Sequence, residues 1–150
     1  MKQSPKYMPP GGSELMERFI NAIMRKGKKT IARTIFKECL EIVKTRGYTN
    51  PVESFEKAMR NVSPTMEVRA KRIGGSVYQI PVEVQPRRQR ALAFRWMLEA
   101  ARGKKGAPLS RKLANEIIEA CEGTGSAVKK KEDTFRMAQA NKAFAHLAKY

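Results

Sequence analysis

Apolar side chains recur every three or four residues over most of the chain, and this spacing predicts amphipathic helices. Leu15, Phe19 and Ile23 form the first such stripe, with Ser13 placed ahead of them as a cap. Asn50 followed by proline marks another helix start, because proline fits the first turn. The pattern predicts six helices, at about residues 13–26, 30–46, 51–63, 86–102, 109–122 and from 127 onward.

The second and the last predicted helices each have a broad apolar face. Such a face supplies most of the stability of a helix in a globular protein, so both are expected to contribute to helix packing. In the second helix the residues are Ile31, Ile35, Phe36, Cys39, Leu40 and Val43. In the last helix they are Phe135, Met137, Ala140, Phe144 and Leu147.

Residues 65–84 do not fit the helical spacing and instead alternate apolar and polar side chains around Gly74 and Gly75. This pattern predicts a β-hairpin. A lone two-stranded ribbon is marginal in water, so its base is expected to lean on helices while its basic tip projects. The fold class expected is therefore mainly α: a single domain of about six helices with one protruding hairpin.

Two registers are compatible with the hairpin. A two-residue glycine turn places Val68 opposite Pro81, whereas a three-residue loop places Val68 opposite Ile80. A slip of one residue moves every side chain of a strand to the other face. The three-residue loop is the favoured prediction, because it keeps one face apolar and leaves Arg69 and Lys71 on the other.

The charge balance adds a class of partner to this picture. The 150 residues include 31 Lys and Arg against 14 Asp and Glu, a formal net charge of +17. Such an excess is expected where a polyanion supplies the counter-charge: nucleic acid, an anionic membrane surface or an acidic protein. No apolar run approaches the ~18 residues of a membrane span. Residues 1–12 lack the apolar core of a signal peptide and are interpreted as an extended arm before a helical domain, 13–150.

Candidate chemistry is sparse. His146 is the single histidine, and no nucleophile and base, metal-ligand cluster or phosphate-binding glycine loop accompanies it. Cys39 and Cys121 lie in helical patterns without metal-ligand spacing and are interpreted as buried structural thiols. No catalytic residue, metal or cofactor is expected.

Basic residues are concentrated at a few places that together make a candidate binding face. Three arginines in the first turn of the fourth helix oppose the helix dipole, which suggests that they serve phosphate contact. Tyr78 and Trp96 are able to stack on bases, although core positions are the commoner use of such residues. The candidate face combines the hairpin and the fourth helix with Lys28, Lys29, Lys104, Lys105, Lys129, Lys130 and Lys131.

Several stretches resemble the family of bacterial-type small-subunit ribosomal protein seven. The first of these stretches is the hairpin sequence from Arg72 to Glu83. Further matching stretches are 12–15, 27–29, 91–96 and 136–146, in order along about residues 12–148. The resemblance implies a six-helix bundle with a protruding hairpin, which agrees with the pattern of apolar positions.

The resemblance also implies a function and partners. Family members are primary rRNA binders that nucleate the head of the small subunit on the 3′ major domain, in bacterial cytoplasm or an organelle. They lie at the exit (E) site, with E-site tRNA, mRNA and small-subunit proteins nine, eleven and thirteen as neighbours; no membrane contact or homo-oligomer is expected. The implied rRNA contacts are Lys28, Lys29, Arg87, Arg88, Arg90 and Arg95. The implied hairpin contacts are Arg69, Lys71, Arg72, Gly74 and Gly75, with Tyr78 beside them.

Two other classes of function remain compatible with the composition. One is a nucleoid-type DNA binder, although no helix has the Asn, Gln and Arg spread expected for reading base edges. The other is a basic helical module for an acidic protein or membrane surface. Duplex DNA binding would distinguish the first, and binding that survives nuclease treatment would distinguish the second.

Overall fold

The computed structural model describes residues 12–149, and within them it confirms a mainly helical fold with one β-hairpin. Gly12 is therefore the one residue of the predicted arm, 1–12, that lies inside the described range. The elements are α1 Glu14–Ile23, α2 Lys29–Thr45, α3 Pro51–Val62, β1 Met66–Ile73, β2 Ser76–Glu83, α4 Pro86–Gly103, α5 Leu109–Cys121, α6 Ser126–Ala140 and a terminal 3-10 helix Lys142–Lys149.

Two of the predicted helix starts are confirmed at the level of single hydrogen bonds. Ser13 Oγ accepts from the Met16 amide at 3.2 Å, and Asn50 Oδ1 accepts from the Glu53 amide at 3.3 Å. Each cap satisfies a backbone donor that the first turn of a helix leaves unpaired. Helix α1 ends at Ile23 rather than at the predicted Lys26, because Met24, with ψ 136°, has already left helical geometry. Lys26 then has a positive φ of 54°.

Four phenylalanines join α1, α2, α3 and α4 at the centre of the molecule. The ring of Phe19 lies 5.4 Å from Phe36, 5.0 Å from Phe55 and 5.1 Å from Phe94. Helix α5 packs against α2, α3 and α4 and extends this core. Ile31, which the sequence pattern assigned to the apolar face of α2, is exposed, so that assignment is wrong; Ala32 is buried in its place, whereas Phe36 is buried as predicted.

The hairpin register predicted from the sequence is wrong. The two strands are joined by a two-residue turn, which places Val68 opposite Pro81 and Lys71 opposite Tyr78. Gly74 and Gly75 both have positive φ, 57° and 85°, as the favoured type I′ hairpin turn requires. The apolar-face argument fails because only the base of the hairpin is buried, and an exposed ribbon places little constraint on register.

The predicted apolar face of the last helix is also wrong. Phe135 and Met137 are 46% and 55% exposed, and α6 ends at Ala140. Two positions apart on a helix lie roughly 200° around its axis, so these two residues cannot share a face. The small residues Ala127 and Ala138 pack inward instead, while Phe144 belongs to the 3-10 helix that covers β2.

Candidate nucleic-acid interface

Helix α4 runs past the base of the hairpin and along α1. Its 18 residues correspond to about 27 Å of length. One side, which includes Met97 and Ala101, is fully buried in the core. The opposite side lines a groove of about 1040 Å³ against α1. We call this the arginine groove, because its lining includes Arg18, Arg87, Arg88, Arg90, Arg95 and Arg102.

Two guanidinium groups of the groove, those of Arg90 and Arg102, are partly buried and lie near other positive charges. Burial lowers the pKa of Arg90, and the positive charges of Arg18 and Arg87 lower it further against the opposing effect of Glu14. Burial also lowers the pKa of Arg102, with a contribution from Arg25. A groove of this kind gains stability when an anion enters it, because the anion offsets both the repulsion and the lost hydration.

The groove continues from α4 to the turn between α1 and α2. Arg102 Nη2 donates to the Ile23 carbonyl at 3.0 Å, which brings the end of α4 to the end of α1. In that turn Lys28 is exposed, and within the described chain it has no ion pair. Lys29, in contrast, forms an ion pair, since its Nζ lies 3.7 Å from Glu17 Oε2.

Glu17 is buried and is paired mainly with α2. Arg33 Nη1 donates to Glu17 Oε1 at 2.5 Å and Arg33 Nη2 donates to Oε2 at 3.0 Å. The hydrogen bonds from Arg33 lower the pKa of the Glu17 carboxyl, and they outweigh the burial that would raise it. These hydrogen bonds hold α1 against α2 close to the basic turn that joins them.

The other end of the groove is joined to the hairpin by Glu67. This buried carboxylate of β1 accepts hydrogen bonds from Arg69, two residues along the strand, and from Arg88 in the first turn of α4. Two of the arginines predicted from the sequence, one in each element, therefore meet on a single acidic group. The hairpin base and the groove form one continuous basic surface.

The predicted basic residues after α4 have different surroundings. Lys104 forms an ion pair with the buried carboxylate of Glu116, and its Nζ lies 3.8 Å from Glu119 Oε2. The pKa of Lys104 is raised, chiefly by the hydrogen bond to Glu116. Its neighbour Lys105 is exposed, and no ion pair within residues 12–149 involves it.

The three predicted lysines of α6 do not join the groove. They lie in the first two turns of the helix, where Lys129 and Lys130 are exposed and Lys131 is half-buried. No hydrogen bond or ion pair among the described residues links their side chains to the groove arginines. Gly125, the residue before α6, lies against Glu119, because a Cβ at Gly125 would come 2.7 Å from Glu119 Oε2.

The hairpin tip projects as predicted. Arg72, Gly74 and Gly75 are exposed, while Lys71 is half-buried beside Tyr78 on the same face of the ribbon. The ring of Tyr78 lies 5.4 Å from Phe144 of the 3-10 helix, so it serves at least partly to hold that helix against β2. Trp96 is buried in the core and presents no face for a base to stack on.

The described residues contain no cluster of three or more side chains suited to a metal ion, and none of their helices is long and apolar enough to cross a membrane. His146 is exposed in the 3-10 helix. Cys39 and Cys121 are buried free thiols, as predicted. Burial raises the pKa of Cys39 to about 12.

Three residues of this surface were missed by the reasoning from sequence: Arg18, Glu67 and Arg102. Arg102 carries a usable signal, because Arg88, Arg95 and Arg102 recur every seven residues. A seven-residue step drifts only ~20° around a helix, so the three share one face of α4. Arg18 and Glu67 have no comparable local signal, since their roles depend on elements that meet only in the folded chain.

Comparisons with known proteins agree with this geometry. The family model described as ribosomal protein S7p/S5e matches residues 2–142. The chain is 47% identical to small ribosomal subunit protein uS7 of Thermomicrobium roseum, over 97% of this chain and 98% of the relative. It is 51% identical to the uS7 protein of Thermotoga maritima, over 94% and 93% of the two chains. Identity to the uS7 protein of Pelotomaculum thermopropionicum is 52%, over 89% and 86%.

Proposed function

The chain belongs to the ribosomal protein S7p/S5e family, and from that premise we propose how it acts in the small ribosomal subunit. As a member it is a structural, non-enzymatic component of that subunit, in which rRNA and other ribosomal proteins are its partners. The proposal concerns which rRNA it binds, which neighbours it meets and which residues make the contacts.

We propose that the chain is a primary binder of the 3′ major domain of small-subunit rRNA and nucleates assembly of the subunit head. The observation that carries the proposal is the arginine groove, in which six guanidinium groups lie along α4 and α1. Arginine forks match phosphate geometry bidentately, and six of them along one groove suit a folded RNA backbone better than a small ligand.

The proposed contacts fall into three groups. Arg87, Arg88, Arg90 and Arg95, with the additional Arg18 and Arg102, would hold rRNA in the groove. Lys28 and Lys29 would extend this contact beyond the end of α4. Lys105, Lys129, Lys130 and Lys131 would meet a separate rRNA segment, and Lys104 would contribute there mainly by supporting its loop through Glu116.

The hairpin has a different proposed partner. Its exposed tip would line the E site near the mRNA exit channel and face E-site tRNA and mRNA, through Arg69, Lys71, Arg72, Gly74, Gly75 and Tyr78. Small-subunit protein eleven would lie beside the hairpin, and proteins nine and thirteen would share the rRNA neighbourhood of the chain. The exposed glycines favour this role, because a tip without side chains allows close approach of a nucleic-acid backbone.

Binding to small-subunit rRNA fragments of the 3′ domain, with duplex DNA as competitor and across a salt series, tests the proposal. Each phosphate neutralised on single-stranded elements adds ~0.7 to the slope of log K against log salt. We expect tight binding that survives DNA competition, with a slope equivalent to several phosphates. Equal affinity for duplex DNA would instead indicate a general DNA binder, and binding to an acidic protein or vesicle after nuclease treatment would indicate the third class.

A further inference from the structure

Glu67 is an acidic residue at the centre of a basic surface, and this placement needs a reason. The residue is 7% exposed and lies near the start of β1, between two half-buried positions. Its Oε1 accepts from Arg69 Nε at 3.1 Å and Arg69 Nη2 at 3.0 Å, and its Oε2 accepts from Arg88 Nη2 at 3.3 Å. One carboxylate therefore holds a guanidinium of the hairpin and a guanidinium of α4.

The two arginines retain most of their donors. A guanidinium has five N–H donors, and Arg88 uses one of them on Glu67. The side chains of Arg69 and Arg88 are 63% and 42% exposed. Neither has another hydrogen bond among the described residues. Their remaining donors face solvent, where an RNA phosphate can reach them.

Sharing a carboxylate has two physical consequences for these side chains. It offsets the repulsion between two like charges, which would otherwise drive the guanidiniums apart. It also restricts two flexible side chains before any ligand arrives, so less conformational entropy is lost on binding. Both effects favour binding of one backbone segment by the two arginines together.

We propose that Glu67 is a positioning residue for RNA binding: it holds Arg69 and Arg88 side by side so that one stretch of RNA backbone is bound by the hairpin and α4 at once. This proposal rests on the proposed function and deepens it: Arg69, toward the base of the hairpin, contacts rRNA together with Arg88, while the tip of the hairpin keeps its E-site partners. The orientation of the hairpin would then be tied to rRNA binding in the arginine groove, because the same phosphates contact both elements.

Simple electrostatics makes the opposite prediction for Glu67. A carboxylate near RNA repels phosphate and competes for the arginines, so its removal should strengthen binding. Glu83 provides a matched control: it lies on the same hairpin, is exposed, and has no ion pair in residues 12–149. Glu67→Gln and Glu83→Gln remove the same charge with the same change of shape.

The experiment measures binding of the full chain and of both variants to an rRNA 3′-domain fragment across a salt series. In the Glu67→Gln variant we expect the arginines to neutralise fewer phosphates. For each phosphate lost, binding at 0.1 M salt should weaken about fivefold, and the slope of log K against log salt should fall by ~0.7. We expect Glu83→Gln to bind as well as the wild type or slightly better. Binding of Glu67→Gln that equals or exceeds that of Glu83→Gln would overturn the proposal.

A second pair of variants keeps the proposal falsifiable if Glu67→Gln fails to fold. Arg69 and Arg72 are both exposed on β1, but within residues 12–149 only Arg69 has an ion pair. Arg69→Gln should weaken binding to the rRNA fragment more than Arg72→Gln does, and an equal or reversed order would overturn the proposal. Failure of the proposed function has a different signature, since the wild type itself would then show no preference for the rRNA fragment over duplex DNA.

Discussion

Helices α4 and α6 both begin with three basic residues near their first turn and no acidic residue there, yet the fold uses them differently. Helix α4 buries seven residues and lies between the hairpin base and α1. Helix α6 buries three small or medium residues and packs mainly against β1 and α4. The arginines of α4 therefore share one groove with Arg18 of α1, whereas the lysines of α6 do not line that groove.

The difference shows that a basic run acquires a role from what packs beside it. Both runs oppose the helix dipole at a cost of a few tenths to about 1 kcal/mol per residue. In α4 that cost is accompanied by a groove in which Arg18 and Arg102 join the first-turn arginines. In α6 the charges remain spread over an exposed turn, which is suited to weaker and less specific contact.

The largest expected effect is on stability, and it compares a buried residue of α4 with an exposed residue of α6. Met97→Ala in α4 should lower the free energy of unfolding by about 2–5 kcal/mol, because Met97 is fully buried. Phe135→Ala in α6 should cost less than about 1 kcal/mol, because Phe135 is largely exposed. Urea unfolding at fixed salt measures both. A destabilisation by Phe135→Ala as large as that by Met97→Ala would mean that α6 is as central as α4.

The next largest effect is on RNA affinity, and it compares the basic residues of α4 with those of α6. Replacing Arg87, Arg88 and Arg90 by Gln should lower affinity for the rRNA fragment by on the order of 100-fold at 0.1 M salt, since three phosphate contacts contribute ~2 to the salt slope. The matched replacement of Lys129, Lys130 and Lys131 removes the same charge and should cost less than about fivefold. Equal reductions in affinity would indicate that overall charge, not the groove, governs binding.

A smaller effect distinguishes two neighbouring lysines after α4. Lys104→Gln leaves Glu116 as a buried carboxylate without an ion-pair partner among the described residues. Breaking a fully buried pair costs ~3–5 kcal/mol, and the 42% exposure of the Lys104 side chain reduces the expected cost to about 1–2 kcal/mol. Lys105→Gln should change stability by less than about 0.5 kcal/mol while weakening RNA binding more. Thermal unfolding measures the stability of both variants, and RNA titration measures their binding. If Lys105→Gln lowered stability more than Lys104→Gln did, the prediction would be contradicted.

The smallest effect concerns the dipole of α4. Arg87→Gln should raise the free energy of unfolding by about 0.3–1 kcal/mol, because it removes a positive charge from the positive end of the helix. Arg102→Gln should lower it, since Arg102 lies at the favourable end and donates to the Ile23 carbonyl. Both changes should weaken RNA binding. If the two variants shifted stability in the same direction, the dipole explanation would fail.

Local patterns in the sequence predicted the helices well because their causes act within a few residues. The Ser13 and Asn50 caps satisfy amides three residues ahead. Glycine at position 27 has the positive φ that reverses the chain. The first-turn arginines of α4 were identified from sequence for the same reason, since the conflict with the helix dipole is itself local.

The same reasoning failed where it assumed a buried apolar face that the folded chain does not have. It chose the wrong hairpin register because the ribbon is buried only at its base, so the glycine turn decided the pairing rather than an apolar face. It assigned Phe135 to a packed face of α6 because spacing alone does not show which side a helix turns toward its neighbours. The spacing of apolar residues predicts which face of an element is buried only when another element packs against that face.

The sequence by itself determined six helices, a glycine-tipped hairpin, a large basic excess and a family resemblance that the comparisons confirm. Only the tertiary structure decided which basic residues lie together. Glu67 and Arg88 are 21 positions apart, and Arg102 and Ile23 are 79 apart. Such pairs meet through the packing of whole helices, which depends on the burial of many side chains at once and leaves no signature in any short stretch of the chain.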